Sequence, residues 1–376
     1  MKKIILTTAL ALSILISFIQ AYDATGVEQY SYIIAFGIDK SDSEEEPIKL
    51  SIQVAKPDSG ESGGTKIQTE VLTVNCNTFN LGMAMLNIKN VNKLNLSHCT
   101  AIIISEELAM EGIEPFIDTL VNNIEIRPTC NVLICQGKAE EFLNVASSIE
   151  DISSKFYTSF IQSAETTSYV TPCILSDFYS ALHEDIKEPV ALYSFTKDEN
   201  IESLGLSVFK DYKMVGRLSG LETICYNIIT NNFDEATIEV YNPQDSVHPL
   251  SVNLSHFKDT QLSVKLENNV PKIKCTINVK AKILSGDKSY DYSSNQSLRE
   301  IEAEINKFLE DNISAFLYKT SQEYNSDIIG FEGYFRKNYL TEDELNQYKW
   351  DELYSKSEFE VNSTSYIRSG FLFLKN

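Results

Sequence analysis

The groups that could carry chemistry are four histidines, seven cysteines and an unusually large stock of carboxylates. His98, His183, His248 and His256 stand in four unrelated contexts, with no H-E-x-x-H pair to grip a metal. No G-x-S-x-G nucleophile turn and no Gly-rich dinucleotide turn occurs. The Gly/Ser loop at 59–64 lacks the Gly-Lys-Ser/Thr that would make it a phosphate loop. Seven cysteines cannot all pair within one chain, and without a C-x-x-C neither a zinc ribbon nor a thioredoxin-like site is present. Most lie in apolar stretches, as small buried hydrophobes do; one or two disulfides stay open for an exported chain. Cys130 and Cys135 are five apart, which on a strand puts them on opposite faces. Asp39-x-Ser41-x-Ser43 followed by Glu44, Glu45 and Glu46 has the start of a calcium loop but not its central glycine or its spaced glutamate. It reads as a solvated acidic turn. With 53 Asp and Glu, close carboxylates are unavoidable, and no pair stands out as a glycosidase pair. The residues thus predict no catalytic site, no cofactor site and no metal site.

The elements that would position any site follow from periodicity. Residues 31–38 and 48–55 read as a strand pair joined by the acidic turn, and 66–74 as a third strand. A helix is expected over 78–90, then a short apolar strand at 101–104. Ser105 can cap a helix over 106–111, with Gly112 at its end. Pro115 opens a further helix to about 121. A strand at 128–135 and a helix at 138–146 continue the alternation of an α/β or α+β region. Thr171-Pro172 reads as a helix start, with Ile174, Leu175, Phe178, Ala181 and Leu182 on one stripe. A strand follows at 189–195.

Past the polar stretch near 200, residues 204–210 and 214–218 flank a hairpin turn. Ser219 and Glu222 form a capping box for a helix bearing Leu221, Ile224, Cys225, Ile228 and Ile229. Residues 231–248 look like a polar linker. In 272–283, Ile273, Cys275, Ile277, Val279, Ala281 and Ile283 alternate strictly with polar residues, the clearest strand in the chain. The longest helix is expected over 297–322, about 39 Å long, covered by this strand and by strands near 358–367 and 370–374. The fold class is α+β: mixed sheets with packed helices, three domains, and a long C-terminal helix against an antiparallel sheet. The expected division is a signal or anchor segment at 1–21, an N-terminal α/β region at 27–198, a connecting hairpin–helix region at 200–240 and a C-terminal α+β domain at 250–376.

Net charge narrows the partners. Asp+Glu 53 against Lys+Arg 32 give a formal charge of −21, which repels phosphate backbones, so no nucleic acid is expected. The same balance disfavours electrostatic docking to anionic headgroups. Lys2 and Lys3 precede an uncharged stretch from Ile4 to Ile19, the pattern of an export signal, with Ala21 as the cleavage candidate. The functional part is therefore expected to work outside the cytoplasm.

Several stretches together resemble the Ger(x)C family, the C subunit of nutrient germinant receptors in endospore-forming bacteria. They are Ala35 to Lys40 with Ile52 to Pro57; Leu94 to His98 through Glu106-Glu107-Leu108-Ala109 to Gly112-Ile113; Glu125-Ile126-Arg127 and the strand ending at Gly137; Gly205 to Lys210 with Val215 to Leu218; and Tyr324, Ser326 to Phe331 and Trp350-Asp351-Glu352. The resemblance covers about 27–374. It implies a three-domain, non-enzymatic protein on the outer face of the spore inner membrane, working with a membrane-bound A subunit and a transporter-like B subunit in receptor assembly or germinant response. The family is usually anchored by a lipid-bearing Cys just after the signal segment. Here Ser17 to Tyr22 contains none, and the first Cys is Cys76. Either the apolar segment stays as an anchor or the processed protein is held by its partners. The alternative class is a secreted hydrolase or extracytoplasmic solute-binding protein. Asp327 is the interaction candidate. Its turn reads either as a helix stop, with Gly330 supplying a backbone conformation other residues avoid and Phe331 plugging the core, or as part of a contact surface for a partner subunit.

Overall fold

The computed structural model describes residues 30–57, 67–148, 156–184, 186–243, 245–285, 294–338 and 347–367. Ala21, the 59–64 loop and the strand expected at 370–374 lie outside the described residues.

The first sheet opens with β1 (Tyr30–Lys40), β2 (Ile48–Pro57) and β3 (Ile67–Cys76) as an antiparallel meander. Helix α1 (Phe79–Lys89) returns the chain to β4 (Lys93–Asn95), which pairs in parallel with the start of β1. Then come β5 (Ala101–Ser105), α2 (Glu106–Glu111), α3 (Glu114–Val121), β6 (Asn131–Cys135), α4 (Ala139–Ser148), α5 (Phe156–Glu165), α6 (Leu175–His183) and β7 (Val190–Lys197). The hairpin β8 (Asn200–Lys210) and β9 (Lys213–Leu218) extends this same sheet, whose order is β3-β2-β1-β5-β6-β7-β8-β9. Strands β1, β5, β6 and β7 run parallel, and every residue of β5 is buried. That is the expected signature of strands covered on both faces. One face packs Phe36, Ile38, Ile102 and Ile104 and the other Ile34, Ile103 and Leu133. Cys130 and Cys135 fall on opposite faces, as their spacing requires. Gly37 lets β1 approach α4 closely: a Cβ there would meet Ala139 Cβ at 2.8 Å.

Helix α7 (Gly220–Thr230) starts at the Ser219/Glu222 capping box and is buried along most of its length. A helix apolar on all sides belongs inside a core. It joins Val190, Leu206, Val208 and Leu218 of the first sheet to Ile238, Leu250, Ile277 and Ile305 beyond it in one apolar cluster. The second sheet holds β10 (Glu235–Asn242), β11 (Asp245–Glu267), β12 (Val270–Ser285) and, after α8 (Asn295–Tyr318), a π turn over Lys319–Glu323, α9 (Phe331–Arg336) and α10 (Trp350–Tyr354), the last strand β13 (Glu358–Ile367). β10 to β12 are antiparallel and β13 adds in parallel.

Some local expectations change. Ser105 precedes α2 as expected, but its side chain makes no capping hydrogen bond to it. The polar-looking 231–248 stretch contains β10, because Ala236, Ile238 and Val240 face the core between exposed Glu235, Thr237 and Glu239. One wet face made the composition polar. The helix expected to start at Thr171-Pro172 starts at Leu175; Thr171 instead gives its hydroxyl to Asn227 Oδ1 at 2.5 Å.

Candidate functional site

The chain after α8 runs back to the first sheet and is clasped there. Lys319 Nζ donates to the Arg217 carbonyl at 3.2 Å and to Glu222 of the capping box at 2.9 Å. Tyr324 donates its hydroxyl to the same carbonyl at 3.0 Å. Ser326 Oγ donates to the Phe209 carbonyl at 2.6 Å, and the Glu188 N–H donates to the Asp327 carbonyl at 3.0 Å. Gly330 then takes φ +83°, the left-handed region, and starts α9. A side chain there would be strained by the backbone and crowded by Lys187 Cβ at 3.3 Å.

Asp327 sits at the centre, 5% exposed. Its Oδ1 accepts from the N–H groups of Gly330 at 2.9 Å and Phe331 at 3.0 Å. Its Oδ2 accepts from the Glu332 N–H and from Trp350 Nε1, both at 2.9 Å. The carboxylate therefore caps α9 and ties α10 to it. Burial pushes its pKa up to about 6, against the pull of these donors. The Trp350 ring packs on Phe335 at 5.1 Å and on Tyr354 at 5.9 Å.

Above Asp327 lies a cleft of about 460 Å³ between the α6–β7 connection, the end of β8 and α9–α10. Lys210 crosses it, bonding Glu188 and Asp351 at 2.6 Å each. Glu188 also accepts the Asp211 N–H at 2.9 Å. Burial raises the Glu188 pKa, with Lys210 working the other way. Burial opposes the Lys210 charge, but its two carboxylates outweigh that and raise its pKa. These are interlocked pairs holding two parts of one fold.

The sequence matches two family descriptions, "Spore germination protein N-terminal domain" over 23–193 and "Spore germination B3/ GerAC like, C-terminal" over 204–370. Together they take in nearly the whole chain. This chain belongs to the GerAC-like spore germination family.

Among relatives similar to it, the putative spore germination protein YfkR of Bacillus subtilis (strain 168) is 23% identical, covering 100% of this chain and 99% of its own. Spore germination protein GerQC of Bacillus cereus is 22% identical over 81% of this chain and 84% of its own. Spore germination protein KC of Bacillus subtilis (strain 168) is 23% identical over 98% and 96%. The crystal structure of the GerBC protein matches with a TM-score of 0.56 and 18% identity, covering 89% of this chain and 97% of that one, and shows the same fold.

Stretches by which the sequence resembles the GerAC-like family meet at the clasp. Phe209-Lys210, Ser326 to Phe331 and Trp350-Asp351 come together across 117 to 141 residues of chain. Another meets at the opposite end of the first sheet. There Asp39, buried, accepts the N–H groups of Ala139 at 2.6 Å and Glu140 at 2.9 Å, capping α4. Burial raises its pKa, opposed by these two N–H bonds. A helix N-terminus at this edge of an α/β sheet is where anions commonly bind; here the chain's own carboxylate fills it. Lys40 pairs with Glu111 and, at 3.7 Å, with Glu107.

The histidines are not brought together. His98 is exposed with its ring against Tyr32, His183 lies 3.9 Å from Asp118, and His256 bonds Asp259 at 3.2 Å. Among the described residues no group of three His, Cys, Asp or Glu is placed to hold a metal, and the seven cysteines are free and buried. Cys99 and Cys130 approach at 3.8 Å. The Glu188–Lys210–Asp351 chain was missed by sequence reasoning. Its one sequence signal is a lysine closing the mostly apolar run 204–209.

Proposed function

We propose that this chain is a non-enzymatic, extracytoplasmic subunit of a nutrient germinant receptor, held at the outer face of the spore inner membrane and partnered by membrane-bound A and B subunits. Its task in this reading is to present a rigid two-sheet body to those partners. The observation that carries the reading is the clasp: Asp327, Glu188 and Lys210 are occupied with the protein's own groups, an arrangement that fixes geometry. A hydrolytic or solute-binding site needs groups aimed at a ligand, and this cleft aims them at one another. Asp327 then acts as the keystone beneath a contact surface, and the side chains a partner subunit touches are exposed ones at the rim, such as Lys349.

Spore fractionation tests the reading. The protein is expected in the inner-membrane fraction, crosslinked to A and B subunits, and Lys349→Glu is expected to slow nutrient-triggered germination while leaving the melting temperature unchanged. Recovery of the protein entirely in the coat or the medium would overturn the proposal.

A further inference from the structure

The strands β1, β4, β5 and β6 run parallel, so their N-terminal ends share one edge of the first sheet. The described chain enters at this edge, at Tyr30. Ten residues, 20–29, separate Tyr30 from the uncharged stretch Ile4–Ile19, a tether reaching at most about 36 Å.

The connections that arrive at the same edge carry the most exposed large apolar side chains among the described residues. Ile88 in the last turn of α1 is 85% exposed, Val91 before β4 is 101% exposed and Ile124 before β6 is 99% exposed. Hydrogen bonds hold these connections together: Asn87 Oδ1 accepts the Leu94 N–H at 2.9 Å, Glu125 Oε2 accepts the Leu96 N–H at 3.1 Å, and Arg127 Nε donates to the Ser97 carbonyl at 2.7 Å. The bonded backbone leaves the apolar side chains outward.

The chemistry around them suits one kind of surface. Lys89, Lys93 and Arg127 are exposed beside them, against Glu125 in the same described connections. Lys93 lies 5.9 Å from the Tyr30 ring centroid, and Tyr32 packs on His98 at 4.3 Å. Aliphatic tips among lysine, arginine and tyrosine are the composition of a protein edge seated in the headgroup region of a bilayer. Within these connections three cations stand against one carboxylate, Glu125, the reverse of the balance that gives the whole chain its charge of −21.

We propose that this edge is the membrane-facing surface of the protein, with Ile88, Val91 and Ile124 inserted among anionic lipid headgroups. The proposal rests on the membrane-associated reading above and adds its orientation.

The full chain is reconstituted on vesicles of phosphatidylglycerol and phosphatidylcholine. The seven native cysteines are buried, so one introduced surface thiol takes an environment-sensitive fluorophore selectively. Val91→Cys and Ile124→Cys report this edge, and Glu45→Cys reports the exposed β1–β2 turn at the opposite edge. Lipids carrying a nitroxide quencher should reduce the 91 and 124 signals at least twofold more than the 45 signal. Vesicles of phosphatidylcholine alone should weaken that quenching. Equal quenching at all three positions while the protein floats with the vesicles overturns the orientation and leaves the membrane reading standing. Failure of the full chain to float overturns direct lipid seating, and the proposal with it, and leaves attachment through the A and B subunits as the membrane reading. Labels at 91 and 124 that are shielded only when A and B subunits are added mean that a protein covers this edge, which also overturns the proposal.

Discussion

At Asp327 one carboxylate both caps α9 and holds the Trp350 indole of α10, and its energetics run in opposite directions. Burial lifts its pKa from the ordinary 3.8 to about 6, although four N–H donors pull it down. A folded-state value above the unfolded one means that folding takes up a proton between pH 4 and 6. The contribution of this carboxyl to stability is therefore fullest below pH 4 and declines as pH rises to 6. The shift corresponds to about 3 kcal/mol. The donors still require an acceptor at neutral pH, since each buried N–H left unpaired costs about 1–3 kcal/mol. Asp327→Ala should accordingly destabilise the protein by about 3 kcal/mol or more in urea unfolding. Asp327→Asn keeps the volume and one acceptor but does not titrate. The unfolding free energy of the wild type minus that of Asp327→Asn should fall by about 3 kcal/mol from pH 3 to 7 and then level off. A flat difference across that range would show that burial does not govern this carboxyl.

At the scale of elements, α8 guards the second sheet's edge. Strand β13 pairs with β12 on one side, which leaves alternate N–H groups pointing the other way. Glu310, Asn306 and Glu302 of α8 accept from the N–H groups of Ser363, Ser365 and Ile367 at 2.8, 2.7 and 2.9 Å. Four helical residues rise about 6 Å and two strand residues about 6.6 Å, so the two ladders keep step. An uncovered edge is a template for pairing with another chain. The triple substitution Glu302→Ala, Asn306→Ala, Glu310→Ala should leave α8 packed through Ile301, Ile305 and Leu309 but free the edge. Sedimentation should then show concentration-dependent self-association that the wild type lacks. The apolar stripe of α8 was legible in the sequence, and so was the strict alternation of β12, because both depend only on near neighbours. The edge ladder was not, since Glu302, Asn306 and Glu310 look like an ordinary wet face until β13 is placed beside them. The same holds for the clasp. Gly330 and Phe331 read correctly as a turn and a plug, whereas the Trp350 donor to Asp327 depends on how the chain closes.

For the whole molecule, the question is whether two sheets make two cooperative units or one. The clasp joins them through Lys319, Tyr324, Ser326 and Asp327, and α7 fills the apolar space between β8 and α8. A shared core of this kind couples the halves, because opening either one exposes α7. The sole tryptophan, Trp350, sits in the clasp and reports the C-terminal half locally, while far-UV circular dichroism reports both sheets. In the wild type the two signals should give coincident urea transitions, the mark of one unit. Gly216 on β9 is the place to separate them: a Cβ there would run into the Tyr324 ring. Gly216→Val should push Tyr324 off the Arg217 carbonyl and loosen the clasp without entering either sheet's own core. The Trp350 transition is then expected at lower urea than the circular dichroism transition. If both signals instead move together by the same amount, the coupling resides in α7 and its apolar neighbours rather than in the polar clasp. Ile228→Ala on α7 should in either case lower both transitions together, by about 2–5 kcal/mol for a buried aliphatic truncation, because that side chain lies in the cluster shared by the two sheets.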